Sequence, residues 1–191
     1  MRNRYNYEEK IQEDISRLKA AWEEAISLER FKPGYPDWNG INVLHLAQVP
    51  GAQPGITWCH HAFDYVARKL GYDMTPVYRK VPGKNNINWT TPIEIYDNLV
   101  SASKINYAIS GVREIQKNAA VAYANKGVLI AVATREYVGH LAGIWPSGTH
   151  DCIIVNAGSE EVHGIHPFEK VYAPKWNMHP RFFLLRRVKN D

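Results

Sequence analysis

The hydrophobic pattern changes period at Gly127, and that change limits the possible folds more than any other feature of the chain. Before it, apolar residues recur every three or four positions; after it, they come in short β-type runs separated by turn formers. Residues 128–133, 137–145 and 152–155 read as strands, the last two joined by Pro146-Ser147-Gly148-Thr149. A final run, 182–185, joins the same sheet. Helices followed by an antiparallel sheet place the chain in the α+β class. Its 191 residues suffice for one ordinary domain with a full core.

Four helical segments are predicted. In residues 7–31, Ile11, Ile15, Leu18, Trp22 and Ile26 fall on one face, and Pro33-Gly34 ends the pattern. This helix packs on its own domain or serves as an arm for a protein partner. Residues 1–35 are accordingly a helix and connector, and residues 36–191 the main domain. Residues 41–48 form a short strand or an apolar lead-in. In residues 59–70, Ala62, Phe63, Val66, Ala67 and Leu70 share a face, with Thr57 as N-cap and Gly71 as left-handed terminator. Thr91, Pro92 and Glu94 spell a capping box with proline at the first helical position, starting a helix that reaches about Val100. A last helix over 112–125 turns Val112, Ile115, Ala119 and Ala122 inward.

The formal charge of +4 is spread along the chain, and only Arg186-Arg187-Val188-Lys189 forms a cluster. Such a balance gives little footing for nucleic acid but suits an anionic polymer such as a cell wall. No stretch is apolar enough to insert in a membrane, and the N-terminus lacks the apolar run of a secretory signal. The two cysteines, Cys59 and Cys152, sit in segments of opposite character and are expected to remain unbridged.

The chemistry centres on Cys59, where Pro54-Gly55 gives way to a helix. A thiol in a first turn meets unpaired backbone N–H groups and the positive end of the helix dipole, which favour its thiolate. A cysteine nucleophile also needs a base and a group to orient that base. His140 opens a strand in Gly139-His140-Leu141-Ala142, and a tight turn at 146–149 would set it opposite Val155 or Asn156. Asn156 is the polar member of that pair and the candidate orienting group. Cys152 reads as a small buried residue, and His60 and His61 as cleft-lining or solvent-facing rather than basic catalysts.

Gly55-Ile56-Thr57-Trp58-Cys59, the helix ending Leu70-Gly71, Ala124-Asn125-Lys126-Gly127 before a strand, Gly139-His140-Leu141-Ala142, and Asn156-Ala157-Gly158 together resemble the CHAP and NlpC-type amidohydrolases of the papain-like superfamily. The resemblance spans residues 51–158. It implies a papain-like fold with helices packed on an antiparallel sheet. It also implies Cys59 as nucleophile, His140 as general base, Asn156 as orienting residue, and cleavage of amide bonds in bacterial peptidoglycan. Gln53, six residues before Cys59, matches the offset of the oxyanion glutamine in papain-type proteases. Trp58, His60 and Trp145 are candidate substrate contacts. No cofactor is implied, and the His163/His166 spacing lacks the carboxylates that would make it a metal site. The expected partner is peptidoglycan, reached without a recognisable signal peptide, as a phage lysin or secreted effector reaches it. Two other readings fit the same residues: a non-catalytic wall-binding or phage-tail module, and a cysteine protease-like toxin acting on a protein.

Overall fold

The computed structural model describes residues 2–28, 31, 59–78, 90–136, 139–157, 162–172 and 177–188. Within them the chain forms α1 (Arg2–Ser27), α2 (Cys59–Lys69), α3 (Pro92–Ser103), α4 (Tyr107–Ser110), β1 (Val112–Ile115), α5 (Lys117–Ala124), β2 (Ile130–Thr134), β3 (His140–Ile144), β4 (Ile153–Asn156), β5 (Gly164–Pro167), α6 (Phe168–Val171) and β6 (Arg181–Leu185). The strands make one antiparallel sheet in the order β1-β6-β2-β3-β4-β5. The class is α+β.

Strand alternation divides the sheet into two buried faces. Leu129, Ala131, Ala133, Leu141, Val155, Phe183 and Leu185 share a core with Leu18, Trp22 and Ala25 of α1, Phe63 and Val66 of α2, and Ile95 and Leu99 of α3. On the other face, Ile130, Val132, Ala142, Ile144, Ile154, Phe182 and Leu184 meet Ala120, Val121 and Ala124 of α5 and Val171 of α6. Helices therefore cover both sides. The α1 helix is built into the first core: Trp22 packs edge-on to Phe63 at 6.0 Å, and its ring lies so close to Gly143 that no Cβ would fit there. Glu24 bonds Tyr65 and Lys69 of α2.

Local signals hold where they were strongest. Gly71, at φ 75°, closes α2, and Tyr72 N–H reaches back to the Ala67 carbonyl at 2.8 Å, the long backbone bond of a Schellman ending. At the start of α3 both halves of the capping box form, with Glu94 N–H donating to Thr91 Oγ1 at 3.2 Å and Thr91 N–H to Glu94 Oε2 at 2.8 Å. Thr91→Ala is expected to cost about 1 kcal/mol, read as a lower urea midpoint with an unchanged slope.

Three expectations are corrected. The helix expected over 112–125 is a strand followed by a shorter helix: Val112–Ile115 pairs with β6, and α5 starts only at Lys117. Gly111, at φ 68°, turns the chain into that strand, and pairing with β6 overrides the local helical pattern. Ala122 is consequently exposed. Residues 164–167, where no strand is expected, form the edge strand β5. The connection between β3 and β4 is also longer than the tight turn expected. The register is Gly143↔Val155 and Ile144↔Ile154, and the loop is pinned by side chains, with Asn125 bonding Gly148 N–H and the Thr149 carbonyl.

Candidate functional site

Cys59 is the first residue of α2 and His140 the first of β3. The far end of α2 is located by three bonds: Arg187 Nε donates to the Leu70 carbonyl at 3.0 Å, Val188 N–H to the Gly71 carbonyl at 2.7 Å, and Leu129 N–H to Tyr72 Oη at 3.0 Å. Leu129 leads into β2, whose Ala131 pairs with Gly143 near the end of β3. The helix thus runs along β3, and Cys59 lies at the His140 end. Asn156 ends β4 at that same end.

Continued along both strands, the β3–β4 register sets Asn156 across from Ala142. His140 and Asn156 then share a face as diagonal neighbours, within reach of each other's side chains. Of the two pairings expected for His140, the register differs by two residues from the one with Asn156 and by three from the one with Val155, and the even shift preserves the face. Asn156 is buried, and its Nδ2 donates to the Val162 carbonyl at 3.4 Å. That bond fixes the other amide atom as Oδ1, which is buried with no hydrogen-bond partner, as is His140 Nε2.

The face carrying His140 is that of Ala142 and Ile144, whereas Cys59 packs in the core of the opposite face. No hydrogen bond joins Cys59 to His140, or His140 to Asn156, among the described residues. Beside His140 stands Tyr172, which the sequence did not single out. Its ring stands edge-on to His140 at 6.2 Å. Its phenol is pushed well above the ordinary range by burial first, then by the negative charges of Cys59 and Cys152. Thr134, directly across from His140 in the β2–β3 ladder, completes the surroundings and is fully buried. Neither residue belongs to a recognisable motif; only the folded register reveals them.

The other candidates separate. Gln53, Trp58, the Thr57 cap and the 41–48 segment lie outside the described residues. Trp145 stands just beyond β3, about 16 Å from His140 at the usual strand rise, with Lys19 Nζ 5.4 Å from its ring centre; it is not beside the Cys59–His140 end. His60 and His61 are buried rather than solvent-facing, their rings 4.3 Å apart. Cys152 is buried too, its thiol pushed up to about 11 chiefly by burial, and no disulfide joins the two cysteines. The His163/His166 pair serves the fold: a ring nitrogen of His163 lies 3.1 Å from the Ile26 carbonyl, and one of His166 3.0 Å from the His163 carbonyl. Among the described residues no three His, Cys, Asp or Glu side chains are grouped to share a metal ion, and no described helix is long and apolar enough to cross a membrane. Of the basic cluster, Arg186 bonds the Ala108 carbonyl and Arg187 bonds Asp14.

Burial lowers both His61 and His140 from 6.5 to about 4. In the unfolded chain each takes up a proton near pH 6.5; in the folded chain it resists until about pH 4. Stability is therefore full above pH 6.5 and falls as pH drops toward 4, each histidine contributing on the order of 3 kcal/mol across that window. Urea unfolding from pH 7.5 to 4 checks this, and His61→Gln is expected to flatten the slope.

No family model, curated protein or solved structure matches the chain.

Proposed function

We propose that the protein is a papain-like cysteine amidohydrolase acting on peptidoglycan. The observation that supports this reading is the placement at one end of the sheet of Cys59 in the first turn of α2, His140 opening β3 and Asn156 ending β4, with the Tyr172 ring against His140. In the proposed reaction His140 takes the Cys59 proton, and the thiolate attacks an amide carbonyl. The Cys59 backbone N–H, joined by Gln53, holds the oxyanion. Protonated His140 gives its proton to the departing amine. Water then attacks the thioester, losing a proton to His140 and releasing the acid and the thiol. Cys59 is 1% exposed, so substrate entry requires the site to open.

That burial, and the absence of a Cys59–His140 bond, favours one second reading, a wall-binding module in which Cys59 is structural. Digestion of purified sacculi by wild type and Cys59→Ala decides between them. Soluble fragments from wild type only support the hydrolase, and none from either leaves the binding module.

A further inference from the structure

We propose that Thr134 and Tyr172 are positioning residues for His140, forming with Asn156 a cage of hydrogen-bonding groups that holds the imidazole once it carries the proton of Cys59. This rests on the reading of Cys59 and His140 as a catalytic pair. Four polar atoms on one face at one end of the sheet, Thr134 Oγ1, His140 Nε2, Asn156 Oδ1 and Tyr172 Oη, are all buried with no hydrogen-bond partner. Thr134 is the direct cross-strand partner of His140, Asn156 its diagonal neighbour, and the Tyr172 ring lies against the imidazole at 66°. Folded proteins pair nearly all their buried polar groups, and each one left unpaired is costly. Three such groups neighbouring a ring whose own nitrogen is also unpaired point to a use.

The chemistry of the set indicates which use. A neutral imidazole has one N–H to give; an imidazolium has two. Asn156 Oδ1 can only accept, since its amide nitrogen is committed to Val162. The Thr134 and Tyr172 hydroxyls rotate and accept equally well. With both hydroxyls turned to accept, the set can serve both N–H groups of the cationic ring, which burial alone disfavours. Other titratable groups on the packed elements are Cys59, His60 and His61 on α2, Glu94 in the capping box of α3, Lys117 of α5 over the Phe168 ring, Cys152 before β4, Glu169 and Lys170 on α6, and Arg135 and Glu136 between β2 and β3. When the thiol proton passes from Sγ to the ring, the resulting cation has three unpartnered acceptors on neighbouring residues, which small side-chain turns would bring to it.

The test is the pH dependence of Cys59 alkylation by iodoacetamide in the full chain, followed by mass spectrometry. Wild type is expected to react with a midpoint well below the ordinary thiol value of about 8.5, and His140→Ala to return it there. Tyr172→Phe and Thr134→Val are each expected to raise the wild-type midpoint by about one unit, and Thr134→Ser to restore it, with far-UV circular dichroism unchanged throughout. If His140→Ala shifts nothing, the catalytic pair fails and the cage with it. If His140→Ala shifts the midpoint while neither cage variant does, the cage is overturned and the pair stands. Should Tyr172→Phe not fold, the Thr134 valine and serine variants decide between these outcomes.

Discussion

Cys59→Ala is expected to lower the release of soluble fragments from sacculi at least ~10⁴-fold, because removing a covalent nucleophile leaves only the binding groups and the oxyanion donors to assist water. The side chain lost is small and already buried among apolar neighbours, so the fold should survive with a cost of about 1 kcal/mol. Retained circular dichroism with lost activity therefore separates chemistry from folding. Cys59→Ser should be nearly as inactive, since a hydroxyl ionises far less readily than a thiol. Activity within tenfold of wild type in either variant would end the proposed mechanism.

The largest expected loss of stability comes from Gly127→Ala. This residue follows α5 at φ 78°, and a Cβ placed on it would lie 2.4 Å from the Asp14 carbonyl carbon and 2.5 Å from the Ile15 nitrogen. Those are backbone atoms of α1 and cannot swing aside as a flexible side chain can. Left-handed backbone costs an alanine roughly 1–2 kcal/mol, and displacing α1 from Trp22's contacts adds about as much again. A loss of about 3 kcal/mol corresponds to roughly 10 °C in thermal midpoint for a chain this size. Gly148 supplies the control. It has the same φ of 78° with nothing within 4 Å of its would-be Cβ, so Gly148→Ala should show the backbone strain alone. Equal effects from the two variants would mean that α1 does not seat on the turn at Gly127.

What the sequence made legible is what neighbouring residues determine among themselves. The α1 stripe through Leu18 and Trp22, the Gly71 terminator and the Thr91–Glu94 box depend on contacts within one turn, and all three appear in the fold. The strand at 112–115 was missed because its character comes from a partner seventy residues away, Leu185 opposite Val112. The β3–β4 register was displaced because Asn125, on another element, holds the connecting loop open. At the candidate site, Cys59, His140 and Asn156 could be picked by residue type and order. Thr134 and Tyr172 could not, since an ordinary strand threonine and a tyrosine following a one-turn helix acquire meaning only when the ladder sets them beside an imidazole.

The position of β6 has a bearing on how the protein is made. Because Arg181–Leu185 lies between β1 and β2, the chain first lays down two strands that leave a slot one strand wide, then fills it with residues synthesised about fifty positions later. Until then both lips of the slot present unpaired backbone groups, to which a strand of another nascent chain could add. The same late segment clamps the helix bearing the thiol, through Arg187 on Leu70 and Val188 on Gly71. A ribosome-bound intermediate would therefore hold the far end of the Cys59 helix without these two bonds, and its final seating coincides with closure of the slot.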